Sequence, residues 1–154
     1  ILQAREAGLG LRASGLKIDR VLSSPLSRAY DTAVEVAQAI GYPIDEIVLD
    51  PLLKERMLGP LEGKLAKFHA QQLVSMSEEE LASEGIETIS AIMDRAQKLL
   101  QQLEGAEENI LLVSHNGLGR GLFATRHSVA FYDIQRLPNA QVLDLASVPL
   151  LEDE

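Results

Sequence analysis

Asn109-Ile110-Leu111-Leu112-Val113-Ser114-His115-Asn116-Gly117 is the stretch that decides the fold. Its aliphatic run is too short for an ordinary helix and ends in small and polar residues, which predicts a buried strand followed by a helix start. In open α/β sheets ligands bind at the carboxyl ends of strands, where the next helix directs free backbone N–H groups and its positive dipole end. We therefore expect His115 to lie at a ligand-binding edge.

A second stretch, Ile18–Pro25, repeats this design. It predicts a strand at about 19–22, with Ser24 as the helix N-cap and Pro25 at the first helical position. Arg28 follows within the first turn of that helix. The two strand ends would present a histidine, an arginine and two helix N-termini to one pocket. Phosphate is the anion that we expect there.

The composition is that of one globular domain over residues 1–154, with 46% hydrophobic residues and no cysteine. Without cysteine, disulfides and thiolate chemistry are excluded, which fits a cytoplasmic protein. The net charge of −9 argues against nucleic acid or an anionic membrane as the main partner. No apolar run approaches the length of a membrane span. Because the chain begins without methionine inside a predicted helix, we expect a segment upstream of Ile1.

Strands and helices alternate along the chain, which predicts a mostly parallel sheet covered by helices on both faces. The predicted fold class is therefore α/β, a three-layer α/β/α sandwich. Besides the two strands above, strands are predicted at 46–50 and from Gln141 to about Val148. Helices are predicted at 1–14, at 25–40, at 66–76, briefly after Ser77, from Thr88 or Ser90 to Leu103, and at 117–125.

Three residues are candidates for chemistry, and each also has an ordinary structural explanation. Arg28 could hold a phosphate with a bidentate guanidinium fork or could be a solvated helix arginine. His115 could bind the ligand or only hydrogen-bond nearby backbone. Glu55, in the irregular segment 52–63, could be a general acid or an exposed loop glutamate.

The remaining polar residues are weaker candidates. His69 lies in a predicted helix without a partner at metal-ligand spacing, and His127 lies in a loop near two arginines with no further support. The acidic run at 78–80 is typical of a helix start. Because the sequence contains neither a phosphate-loop motif nor a dinucleotide-binding motif, no metal and no cofactor are predicted.

Ser23–Ala33 resembles the S-S-P-L-x-R-A-x-x-T-A signature of the histidine phosphatase superfamily, in its phosphoglycerate-mutase-like branch. Leu53–Gly63 is similar to that family's L-x-E-x-x-x-G-x-x-E-G loop, and Val113–Gly117 to its V-S-H-G segment, with Asn116 where glycine is frequent. Looser similarities are Gly85–Thr88 to G-G-E-S, Asn139-Ala140 to N-A, and Gln3-Ala4 to Q-A. These motifs follow the family's order over nearly the whole chain.

The resemblance implies a phosphohistidine mechanism acting on a small phosphorylated substrate. In such a mechanism one histidine attacks phosphorus, while arginines and a second histidine hold the equatorial oxygens. By match of motif, Arg28 and His115 would be two of these holders, with Asn116 beside them in the phosphate site. Glu55 would protonate the leaving oxygen and later help to activate water, and Arg56 would contact the rest of the substrate.

The nucleophile of that mechanism has no counterpart in the 154 residues. The family carries it in an R-H-G motif at the end of its first strand, and no R-H-G occurs here. We expect that the sequence is an N-terminally incomplete version of a normal enzyme, inactive as it stands. The loss of a strand inside the sheet should expose ladder groups and apolar faces on its neighbours.

Two classes of function remain open. The first is an enzyme, either a phosphomonoester phosphatase or a phosphoglycerate-mutase-type phosphotransferase. The phosphatase is favoured because the segment between Glu55 and Gly85 is short, whereas the resemblance implies larger insertions there in family mutases that act on phosphoglycerate. The second is a non-catalytic phosphate-binding module without the nucleophile. The segments 56–88 and 125–138 would set specificity, and an exposed sheet edge or apolar patch could support a homodimer.

Overall fold

The computed structural model describes residues 1–64 and 66–146, which form six α-helices, three β-strands and several short 3-10 turns. The helices are α1 (Leu2–Ala13), α2 (Ser27–Ile40), α3 (Ala66–Ser75), α4 (Glu78–Ser83), α5 (Ile89–Gln102) and α6 (Asn116–His127). The strands are β1 (Arg20–Ser23), β2 (Val48–Leu49) and β3 (Ile110–Val113). This order confirms the predicted alternation of strands and helices.

The three strands form a parallel sheet in the order β2-β1-β3. Leu22 of β1 is opposite Val48 on one side and Leu112 on the other. Strand β2 is shorter than the predicted 46–50 strand because Ile44–Glu46 forms a 3-10 turn. Since all three strands run in the same direction, their carboxyl ends lie at one edge of the sheet.

Helices cover both faces of the sheet, which confirms the predicted three-layer arrangement. On one face Val21 packs with the small residues Ala29 and Ala33 of α2, and α1 packs against α2. On the opposite face Leu22 packs with α5 and α6. The alternation of Val21 and Leu22 follows from the two-residue period of a strand. The core members on the second face are Leu22, Leu53, Ile92, Ala96, Leu99, Leu118, Leu122 and Phe131.

Strand β3 pairs only with β1 within the described residues. Its outer side therefore carries no strand from ranges 1–64 and 66–146. Although the strand is wholly aliphatic, Ile110, Leu111 and Leu112 are only half-buried, and Val113 alone is buried. The most apolar strand of the sheet is thus also an edge strand in the described part of the chain.

Two local predictions are wrong in detail. Ser24 does not cap a helix that starts at Pro25; the helix begins at Ser27 with Leu26 as its N-cap. The reason is that the Ser24 hydroxyl accepts the N–H of Leu26 at 3.2 Å, which closes a local turn before the helix. The other helix starts fit the sequence: Thr88 caps α5 by accepting the N–H of Ala91 at 3.1 Å.

The predicted last strand is also wrong over the described residues. Residues 141–144 have no regular structure and 145–146 form a turn, while 147–148 lie outside the described residues. Val142 and Leu143 are 46% and 40% exposed, so the alternating pattern has no neighbouring strand to pair with. None of the helices in the described ranges combines the length and apolar character needed to span a bilayer.

Candidate active site

The register of β1 and β3 brings the two predicted strand ends together. Ser23 is opposite Val113, and the Ser24 N–H donates to the Val113 carbonyl at 2.8 Å. Two residues after Val113, His115 is the N-cap of α6, with an extended backbone. The sheet therefore delivers Ser24 and His115 to the same edge, at the starts of α2 and α6, as the sequence predicts.

His115 contacts the hydroxyl of Ser24 at that edge. The distance from His115 Nε2 to Ser24 Oγ is 2.9 Å, and Ser24 is completely buried. Because this hydroxyl already accepts the N–H of Leu26, its own proton remains available for the imidazole. The Ser24 side chain thus links the start of α2 to the histidine at the start of α6, and it fixes the orientation of the ring.

The pKa of His115 is lowered from its ordinary value of 6.5. Burial is the largest cause, since desolvation disfavours the charged imidazolium. The Glu55 carboxylate opposes this effect, whereas the positive charges of Arg28 and Arg95 add to it. At neutral pH the ring is consequently neutral and carries one N–H, which suits a hydrogen bond to an anion.

Glu55 reaches the same edge from the segment that follows the 3-10 turn Pro51–Leu53. Its Oε1 accepts two backbone N–H groups, that of Arg56 at 2.8 Å and that of Gly117 at 2.9 Å. The N–H of Gly117 is one of the first in α6, which have no partner inside the helix. The carboxylate therefore caps α6 from a distant segment, at Gly117, which lies two residues after His115 in the chain.

Gly117 is required for this contact. A Cβ at that position would lie 2.5 Å from Glu55 Oε1 and 3.0 Å from Arg56 Cβ. Both distances are far inside ordinary van der Waals contact, so a side chain here would displace the carboxylate.

Arg28 is the second residue of α2, and its side chain is exposed. Among the described residues its guanidinium forms neither a hydrogen bond nor an ion pair. Its positive charge contributes to the lowered pKa of His115. An exposed guanidinium without a carboxylate partner is well suited to meet an incoming phosphate.

Asn116 and Arg56 flank these groups but are engaged elsewhere. Asn116 Oδ1 accepts the N–H of Leu137 at 2.8 Å, which ties the start of α6 to the segment after the 3-10 turn Phe131–Asp133. Arg56 is only 5% exposed, and its Nε donates to the Glu87 carbonyl at 3.0 Å. The substrate contact assigned to Arg56 stays a prediction, and the structure places its guanidinium in the interior.

Within the described part of the chain, neither of the other two histidines forms a hydrogen bond with a residue of the site. His127 is the last residue of α6, about 16 Å from the start of that helix at a rise of about 1.5 Å per residue. Its Nε2 lies 2.8 Å from the Leu145 carbonyl oxygen. His69, on α3, is 3.4 Å from Gln72 Oε1. Within the described ranges no group of three or more His, Asp or Glu residues is arranged to hold a metal ion.

Sequence reasoning did not identify two residues that border the site, Arg95 and Glu87. Arg95 belongs to α5 and contacts the segment that carries Glu55. Glu87 pairs with Arg95 at 3.0 Å. The only available signal was the loose similarity of Gly85–Thr88 to a family motif, which gave Glu87 no role. Ser24 was predicted as a helix cap and not as a partner of His115.

The site thus combines an α/β sandwich with a histidine and a carboxylate near the carboxyl ends of parallel strands, the place where ligands bind in such sheets. The chain belongs to the histidine phosphatase superfamily (branch 1), whose family model matches residues 1–152. This membership confirms the resemblance found in the sequence motifs.

Known proteins similar to this chain include mutases and phosphatases. A 2,3-bisphosphoglycerate-dependent phosphoglycerate mutase of Brucella ovis is 41% identical over 61 residues, which is 40% of this chain and only 30% of that protein. The solved structure of mycobacterial hydrolase 2 has a TM-score of 0.70 at 28% identity, and the match covers 90% of this chain and 65% of that one. Mycobacterial glucosyl-3-phosphoglycerate phosphatase in complex with inorganic phosphate has a TM-score of 0.65 at 25% identity, over 90% and 73%.

Proposed function

We propose that this chain forms the phosphate-holding and proton-transfer part of a phosphomonoester hydrolase that acts through a phosphohistidine on a small phosphorylated metabolite. The observation that carries the proposal is the meeting of His115, Ser24 and Glu55 at one sheet edge. His115 Nε2 lies 2.9 Å from Ser24 Oγ, and the Gly117 N–H donates to Glu55 Oε1 at 2.9 Å. The exposed guanidinium of Arg28 adds a positive charge there.

In the proposed reaction a histidine nitrogen forms a bond to phosphorus while the bond from phosphorus to the ester oxygen breaks. Glu55, which in this scheme is protonated when the substrate is bound, gives that proton to the leaving oxygen and becomes a carboxylate. The Glu55 carboxylate then takes a proton from water as the water oxygen attacks phosphorus, which releases inorganic phosphate and restores the imidazole. The neutral imidazole of His115 and the positively charged guanidinium of Arg28 hold the equatorial oxygens of the phosphoryl group, whose negative charge they stabilise.

The attacking histidine must be a residue other than His115, His69 and His127. His115 is the holder in this scheme, and among the described residues neither His69 nor His127 forms a hydrogen bond with a residue of the site. We propose that an R-H-G segment upstream of Ile1 supplies it, as the family motif implies. The 154 residues alone would then bind phosphate and not turn over an ester.

The phosphatase is favoured over the mutase by the short segment between Glu55 and Gly85. The local identity with the Brucella mutase keeps phosphotransfer between hydroxyls as a second candidate. The two differ in product, because a mutase returns an isomeric phosphate ester and a hydrolase releases inorganic phosphate. A phosphoglycerate substrate analysed by phosphorus NMR distinguishes them.

The first test uses the 154-residue chain and inorganic phosphate or orthovanadate, with binding measured by calorimetry. Arg28→Ala and His115→Ala should each weaken binding at least about tenfold, since each removes a hydrogen bond to a charged ligand. His127→Ala and Arg12→Ala are matched controls, because they remove the same side chains at positions outside the site. Equal affinity in all four variants would refute the proposed phosphate site.

The second test uses the chain extended by the sequence that precedes it in its source gene. A phosphomonoester should give a burst of alcohol followed by steady release of phosphate, and acid-labile phosphate should remain on the protein. Binding of phosphate without turnover in this longer protein would support the non-catalytic module and refute the hydrolase.

A further inference from the structure

Arg95 and Glu87 form a shielded, bidentate ion pair next to the site. Arg95 Nε lies 3.1 Å from Glu87 Oε1, and Arg95 Nη2 lies 3.0 Å from Glu87 Oε2. The two side chains are only 17% and 9% exposed, so solvent screens the pair weakly. A buried fork of this kind fixes geometry, because both the guanidinium and the carboxylate are planar.

The remaining donors of Arg95 bind the backbone just before and at Glu55. Nη1 donates to the carbonyl oxygens of Leu52, at 3.1 Å, and Lys54, while Nη2 approaches the Glu55 carbonyl at 3.5 Å. One guanidinium on α5 therefore contacts three carbonyl groups between residues 52 and 55, in a segment that has no regular structure after Leu53. Such carbonyl groups would otherwise need water or neighbouring backbone.

Glu87 holds the other side of the same segment. Its Oε2 accepts the N–H of Met57 at 3.0 Å, and its own N–H donates to the Met57 carbonyl at 2.7 Å. Its carbonyl accepts Arg56 Nε at 3.0 Å. The ion pair thus fastens the chain on both sides of Glu55, whose carboxylate is left to contact the start of α6.

On the basis of the proposed role of Glu55 as proton donor, we infer that Arg95 and Glu87 are positioning residues that hold the Glu55 carboxylate against α6 beside His115. They touch no substrate. Their effect passes through the backbone of residues 52–57 to the Glu55 side chain. We call this pair the Arg95–Glu87 clamp.

The test follows the Gly117 amide of the 154-residue chain by hydrogen exchange in NMR, since this amide donates to Glu55 Oε1 at 2.9 Å. Glu55→Ala defines the exchange rate without the acceptor. Arg95→Lys keeps the charge but loses the fork, and should accelerate Gly117 exchange by about tenfold, toward the Glu55→Ala rate. Glu87→Gln is a milder second variant that should act in the same direction. Lys98→Met, an exposed change on the same helix, should leave Gly117 unchanged.

A double variant separates positioning from general loosening. Adding Arg95→Lys to Glu55→Ala should accelerate Gly117 no further, because both changes act through one contact. An unchanged Gly117 rate in Arg95→Lys and Glu87→Gln overturns the inference. So does an equal acceleration of all α5 amides and Gly117, which would mean that the pair only stabilises the fold.

Activity of the extended protein gives an independent readout. Arg95→Lys should lower kcat as Glu55→Gln does, with KM unchanged within about twofold, since neither residue would contact the substrate. An altered KM with unchanged kcat contradicts positioning. A protein with the expected exchange pattern that never hydrolyses a phosphomonoester refutes the proposed hydrolase and leaves the clamp intact.

Discussion

Replacing Gly117 by alanine puts a methyl group into the contact between α6 and the Glu55 segment. The added Cβ would lie 2.5 Å from Glu55 Oε1 and 3.0 Å from Arg56 Cβ. The carboxylate is the end of a flexible side chain, so it yields first and leaves the N–H groups of Gly117 and Arg56. The substitution therefore acts mainly on the position of the proposed proton donor.

The expected loss of stability is modest because two effects oppose each other. A hydrogen bond to a charged acceptor contributes about 1.5–3 kcal/mol. Alanine is favoured over glycine inside a helix by about 1 kcal/mol, and by less at the second helical residue, which Gly117 occupies. The net destabilisation is about 1–2 kcal/mol, which corresponds to a fall in Tm of about 2–8 °C for a chain of this size.

Gly10→Ala is the matched control, since Gly10 lies within α1 and a Cβ there would meet nothing within 4 Å. It should raise the free energy of unfolding by about 0.5–1 kcal/mol. Thermal and urea unfolding measure both variants. Gly117→Ala should also accelerate exchange of the Arg56 amide and, in the extended protein, lower kcat by about 10²-fold. If Gly117→Ala is as stable as Gly10→Ala and keeps the Arg56 amide protected, the assigned Glu55 contact is wrong.

Three further outcomes are expected. Ser24→Ala should shift the imidazole resonances of His115, whereas Ser23→Ala, an equally buried serine whose hydroxyl bonds only backbone, should leave them unchanged. Burial lowers the pKa of His115 in the folded state below 6.5, the ordinary value that applies to the unfolded chain. The stability that the buried neutral ring contributes is therefore fully present above pH 6.5 and is lost as the pH falls through the folded-state pKa. Urea midpoints between about pH 7.5 and about pH 5 should thus fall less in His115→Gln than in wild type or His127→Gln. Gly8→Ala should destabilise by about 1–3 kcal/mol in urea unfolding without altering phosphate binding, since its Cβ would lie 2.6 Å from a side chain of α2.

Features that depend on neighbours in the sequence could be predicted. The aliphatic run before His115 and the strand before Ser24 have the length and composition of buried strands, and the apolar spacing after Thr88 has the period of a helix. Parallel pairing then places the two strand ends together without knowledge of any side-chain contact. The layer order follows from the same patterns, because both faces of such a sheet need a cover.

The contacts that complete the site could not be predicted in the same way. Ser24 and His115 are 91 residues apart, and Glu55 and Gly117 are 62 apart. Their meeting depends on register and on the path of the irregular segment 54–58, which no periodicity describes. The failure after Gln141 has a related cause, because an alternating pattern becomes a strand only where another strand lies beside it.

The outer side of β3 has a consequence for how copies of the protein meet. Within the described residues the outer main-chain groups of this aliphatic strand have no partner strand, and such an edge is a template on which another strand can add, a common start of aggregation. Each copy carries a net charge of −9, and the resulting repulsion opposes such contacts. Because salt screens this repulsion, the 154-residue chain should become less soluble as ionic strength rises.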